Sequence, residues 1–145
     1  MRPTLLVVGG LLVVAVGAVA IALIVNSEPG PSGDIQATTT DFKITMPTVL
    51  KSGKHTIGLT NSGKVLHELV MFKTDLPADK LPTNAAGDVD EESPSLSNVA
   101  DSGEPLKAGS TRSFKTEALD PGHYVAVCNL PGHYRLGMEL NVTVK

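Results

Sequence analysis

Between Leu5 and Val25 no side chain carries a charge or a polar group. At 1.5 Å rise per residue, about 21 such residues reach roughly 31 Å, the thickness of a bilayer's hydrocarbon core. The expectation is therefore one N-terminal transmembrane helix within residues 1–25, followed by a separate domain. Arg2 precedes the run, and Glu28 and Asp34 follow it. That imbalance orients the N-terminus toward the cytoplasm and exports the remainder. A cleaved signal peptide is the competing reading, because Ala18-Val19-Ala20 and Ala20-Ile21-Ala22 have small residues at cleavage spacing. Signal cores span about 7–15 apolar residues. This run is longer and continues through both sites, which favours an uncleaved anchor. A lipid on an N-terminal cysteine is excluded, since the only cysteine is Cys128. Both readings put the domain at the cell membrane or beyond it, outside the cytoplasm.

Residues 26–34 read as a linker punctuated by Pro29, Gly30, Pro31 and Gly33. The domain then covers 35–145, enough for one modest core. Its apolar residues alternate with polar ones over Phe42–Met46, Thr56–Thr60 and Met138–Val144, the period of half-buried strands. Val65–Phe72, Ser113–Ala118 and His123–Cys128 read as further strands. Short strands separated by Gly, Pro and Asn turns predict an all-β antiparallel sandwich or barrel. Residues 74–110 depart from this pattern. They carry Pro77, Pro82, Pro94 and Pro105, few large apolar side chains, and eight acids against Lys80 and Lys107. Such an excursion reads as a long acidic loop, either a docking element or a solvated insertion. A net charge of −3, no Trp and no basic stripe exclude a nucleic-acid role.

One cysteine cannot form an internal disulfide, and a lone thiol in an oxidising compartment calls for an occupant. Cys128 opens the segment Cys-Asn-Leu-Pro-Gly-His133-Tyr-Arg-Leu-Gly-Met138. A thiol, an imidazole and a thioether recur there at five-residue intervals, in a loop that Gly132 and Gly137 allow to curl. Soft sulfur with imidazole selects copper, and two histidines, one cysteine and a weak axial methionine make an electron-transfer copper site. The second histidine is expected to be His67, which is flanked by apolar residues. His123 lies on the Cys128 strand, roughly 16 Å away and on the opposite face. His55, beside Lys54, reads as a surface residue. Zinc fits poorly, because a thioether is a weak zinc ligand. A Cys-His hydrolase fits poorly because both groups sit in a metal-spaced loop.

These residues resemble the cupredoxins, and the Cys-x4-His-x4-Met spacing most resembles the rusticyanin and auracyanin branch. The resemblance is strongest from Asp120-Pro-Gly-His-Tyr124 to Val144. It implies a Greek-key β-sandwich holding one copper ion through His67, Cys128, His133 and Met138. It implies a carrier of single electrons rather than an enzyme, with redox protein partners that meet the His133 end and no small-molecule substrate. Leu130, Pro131, Tyr134 and Leu136 would make the apolar contact surface there. The family often places Asn or Ser after the first histidine, whereas this chain has Glu68. The enzymatic relatives need ligands missing here, such as further His-x-His pairs or a second cysteine. A copper-delivery protein on the same fold is the alternative.

Overall fold

A computed structural model describes residues 30–145. The expected membrane segment at 5–25 lies outside these residues. Among the described residues, no helix is long and apolar enough to cross a membrane. Among the described residues nine strands run in chain order: β1 Ile35–Thr40, β2 Lys43–Thr45, β3 Val49–Leu50, β4 Thr56–Asn61, β5 Val70–Lys73, β6 Ser97–Asp101, β7 Thr111–Lys115, β8 Gly122–Val127 and β9 Glu139–Val144. Two short 3-10 turns, Ala78–Lys80 and Tyr134–Leu136, complete the set. The strands form a four-stranded sheet in the order β2-β1-β4-β7 and a five-stranded sheet in the order β3-β9-β8-β5-β6.

Alternation builds the interior. Ile35, Ala37 and Thr39 of β1 turn inward while Gln36 and Thr40 stay outside. Ile57 and Leu59 lie beside Ile35 and Ala37 in register. From the other sheet come Met71, Tyr124, Ala126, Val142 and Val144. The two sheets thus share one core, and each fully buried Leu or Ile contributes roughly 1.5–3 kcal/mol relative to exposure. Met71 is core, as expected from its strand. The expectation of antiparallel pairing alone does not hold. β1 runs parallel to β4, and β3 runs parallel to β9, so both sheets are mixed. β1, β3 and β6 carried too weak an alternation to be read from sequence.

The acidic excursion packs on the domain through its few apolar residues, while Asp75, Asp79, Glu91, Glu92, Asp101 and Glu104 stay exposed. Val70 and Phe72 of β5 and Val125 and Val127 of β8 face away from the main core. They are covered by Ala78, Leu81, Val89, Leu96 and Tyr134 in a second apolar cluster. That cover explains why the end of β8 reads as the continuous apolar run Val125-Ala-Val-Cys128, the signature of a strand buried on both faces. The excursion ends by supplying β6, which pairs antiparallel with β5. The chain entering β1 is fastened too. Asp34 takes hydrogen bonds from His55 Nδ1 (2.5 Å) and the Thr56 N–H (2.7 Å), tying the start of β1 to the start of β4. The Asp34 hydrogen bond raises the His55 pKa above its ordinary value.

Candidate metal centre

The strand β8 delivers Cys128 at its end, and the connection to β9 folds back on it. The Cys128 N–H donates to Met138 O (3.1 Å), the Met138 N–H to His133 O (3.2 Å), and the His133 N–H to Leu130 O (2.9 Å). Gly137 makes the tight curl possible. It adopts φ 85°, a left-handed conformation that glycine takes without steric cost, and caps the second 3-10 turn by donating to Tyr134 O. His67 comes from a different part of the chain. The expected strand Val65–Phe72 begins only at Val70, and His67 stands before it as an isolated bridge. Its backbone exchanges hydrogen bonds with Leu106 in both directions, at 3.2 and 2.7 Å. The buried Asn61 amide holds this segment by donating to Val65 O and Leu106 O, both at 2.8 Å.

The result is convergence. Cys128 Sγ lies 3.3 Å from His133 Nδ1 and 3.8 Å from His67 Nδ1. All three donor atoms lie within 4.8 Å of one another. Met138 is fully buried in the same core cluster as Cys128. His67 and Cys128 are also fully buried, and only His133 reaches partway to solvent. The other two histidines are elsewhere. His123 bonds Thr74 O and Asn141 Oδ1, and His55 bonds Asp34 and Lys51 O.

Electrostatics decides what this cluster can do. Burial pushes the Cys128 thiol up, and hydrogen bonds from the Glu68 and Leu130 N–H groups only partly offset that. Burial, then the neighbouring His67, pushes His133 down. Neither shift suits a thiolate nucleophile, which needs a lowered thiol pKa. The lowered His133 favours the neutral imidazole that a cation needs, and a coordinated cation would supply the drive that ionises the raised thiol. Two nitrogens and two soft sulfurs in a buried pocket fit copper.

Glu68 points inward at the seam between the two ligand segments. Its N–H donates to Cys128 Sγ (3.4 Å), and its Oε1 accepts from the Asn129 N–H (3.1 Å). Burial pushes its carboxyl up to about 7. Asn129 in turn binds the excursion, bonding Val89 N–H, Val89 O and Glu91. Asp88 accepts from the Gly132 N–H (2.7 Å).

Three residues take places the sequence did not reveal. Tyr134, expected at an apolar surface, is buried. Its hydroxyl accepts from the Leu81 N–H (3.0 Å) and donates to Ala78 O (2.7 Å), so it clamps the excursion onto the ligand loop. Asp41 and Phe42, in the turn between β1 and β2, reach the centre instead. Asp41 Oδ1 lies 3.3 Å from His67 Nε2. The Phe42 ring meets His133 edge-on at 5.2 Å and His67 at 6.4 Å. Neither residue carries a spacing signal. The exposed large apolar residues nearest the ligands along the chain are Phe42, Val65, Leu66 and Leu136, all within two residues of Asp41 or a ligand, or inside the ligand loop.

Solved structures of similar fold are auracyanin from Roseiflexus castenholzii, auracyanin A from Chloroflexus aurantiacus and rusticyanin from Thiobacillus ferrooxidans. The first is 20% identical, with 76% of this chain and 94% of that chain covered and a TM-score of 0.55. Auracyanin A, described as a "blue" copper protein, is 21% identical over 77% of this chain and 97% of that one, at 0.54. Rusticyanin is 22% identical over 77% and 75%, also at 0.54. The fold is thus cupredoxin-like. No family model matches the chain, and no curated protein matches it in sequence.

Proposed function

We propose that this chain is a blue copper protein that carries single electrons, holding one copper ion through His67, Cys128, His133 and Met138. The observation that carries the reading is the buried thiol with two imidazole nitrogens, all within 4.8 Å, beside a buried methionine. Copper supplies a one-electron couple at such a site. The protein supplies the rest. The ligand loop is closed by its own backbone bonds, and both backbone groups of His67 are bonded to Leu106, so the donors are preorganised. A site that does not rearrange between oxidation states exchanges electrons with little reorganisation. Glu68 and Asn129 join the two ligand segments, and the surrounding core keeps water away.

Partners of suitable chemistry are other redox proteins, meeting the His133 end. Phe42 meets His133 edge-on, Val65 and Leu66 precede His67 and Leu136 lies in the ligand loop; all four are 38–58% exposed, and a small apolar contact suits brief encounters. Leu136→Glu is expected to slow electron exchange with a redox partner about tenfold, the effect of ~1.4 kcal/mol at the contact, with the visible band unchanged. Copper delivery predicts the opposite behaviour: mixing with an empty copper acceptor would move metal and bleach the band while Leu136→Glu left exchange untouched. The full burial of Cys128, His67 and Met138 supports retention.

The apolar run at 5–25 supports a further reading, that the domain is tethered to a membrane on its extracytoplasmic side. The full chain is expected to fractionate with membranes, to resist salt extraction, and to expose its domain to protease added from outside. Soluble protein with a mature N-terminus near Ile21 or Leu23 would instead mean signal cleavage.

A further inference from the structure

We propose that Asp41 is the positioning residue for His67: it locks that imidazole as the Nε2–H tautomer, leaving Nδ1 free as a donor, and it biases the centre toward its oxidised state. This rests on the copper reading above, but part of it concerns the metal-free protein and is tested there.

The His67 side chain is fully buried, so each nitrogen must find its partner inside the protein. Nδ1 faces Cys128 Sγ at 3.8 Å. Nε2 faces Asp41 Oδ1 at 3.3 Å. A neutral imidazole has one N–H and one lone pair, and an ionised carboxylate can only accept. The proton therefore belongs on Nε2, and the lone pair on Nδ1 is aimed at the thiol and its companions. A carboxylate behind a ligating histidine also raises the basicity of the ligand.

Asp41 does not merely follow His67. Its Oδ1 also accepts from the Lys64 N–H (2.8 Å) and the Val65 N–H (3.4 Å), so the segment just before His67 pins the carboxylate. Gly63 leaves room for this. A Cβ there would collide with Asp41 Oδ1 and lie 2.9 Å from His67 Nε2. Gly63 is not in the left-handed region, so close approach alone accounts for its missing side chain. The next residue after Asp41 is also unusual. Phe42 has φ 64°, the only non-glycine residue with positive φ among the described residues. That conformation is unfavourable for a bulky side chain, and it lays the ring against both histidines. The β1–β2 turn thus brings a carboxylate and an aromatic ring to the centre together.

The fixed negative charge has a sign. It favours the higher oxidation state, so removing it should raise the reduction potential.

The test uses the full chain with Asp41→Asn, Asp41→Ala and Gly63→Ala. In the metal-free protein, 15N NMR of His67 should show the Nε2–H tautomer. Asp41→Asn keeps an acceptor and should keep the tautomer and the visible band. Its Cu(II)-to-Cu(I) affinity ratio should nevertheless fall about tenfold, ~59 mV upward for one electron. Asp41→Ala and Gly63→Ala should mix the tautomers and weaken Cu(II) retention about 10–100-fold. An Nδ1–H tautomer in the wild type overturns the proposal. So do variants with wild-type tautomer, retention and potential, and that result leaves the copper reading intact. A wild-type chain that takes up no copper instead removes the proposed function, while the NMR result still decides the role of Asp41 in orienting His67.

Discussion

Cys128→Ser is expected to abolish the visible band of the copper-loaded protein completely. The band requires a thiolate bound to Cu(II), and serine offers a hard, protonated oxygen in its place. The exchange nearly conserves volume in a fully buried position, and two imidazole nitrogens lie within reach of the new hydroxyl. The fold should therefore survive, which circular dichroism would verify. His67→Ala should lose copper by dialysis, because it removes a donor that the loop 128–138 cannot replace. His55→Ala and His123→Ala should keep the colour, since both rings are bonded elsewhere. A band that survives in Cys128→Ser sinks the ligand set. So does colour lost in His123→Ala but kept in His67→Ala.

Phe72→Ala should cost about 3–5 kcal/mol in denaturant-induced unfolding. Against a typical total of roughly 5–15 kcal/mol, that is a severe loss. Phe72 is fully buried under the excursion, in the cluster that also holds Leu81, Val89 and Tyr134. Its ring forms part of the floor on which residues 74–96 lie. The same residues bond the ligand loop through Asn129, Gly132 and Tyr134, so loosening the floor should also broaden the copper signals. A cost below about 1 kcal/mol, the range of surface substitutions, would mean that the excursion is not packed as described.

The contrast between these two sites explains what the sequence revealed. Cys128, His133 and Met138 were legible because a single loop carries all three, and spacing along a loop survives folding. His67 was legible by chemistry but not by context. The apolar run around it resembles a strand, yet Asn61 and Leu106 hold it in a bridge instead. How the excursion packs was not legible, because composition records how many apolar residues there are, not where they point. Leu81, Val89 and Leu96 are few and irregularly spaced, and every one is turned onto the sheet. Parallel pairing of β1 with β4 was beyond reach, since register between distant strands leaves no periodic trace. Asp41 acts on a residue 26 positions away, and nothing local distinguishes it from a solvated acid.

The unequal spacing of the four donors has a thermodynamic consequence. Cys128 and His133 are five residues apart, whereas Cys128 and His67 are 61 apart. Unfolding disperses only the second relationship, and residues 128–138 stay close as a short peptide. A bound ion stabilises a fold only by the surplus of its affinity for the native chain over its affinity for the denatured one. Here the denatured chain would keep a cysteine, a histidine and a methionine within one short segment. Copper would therefore lend the fold less stability than the tightness of its native site suggests, and most of that surplus would come from His67.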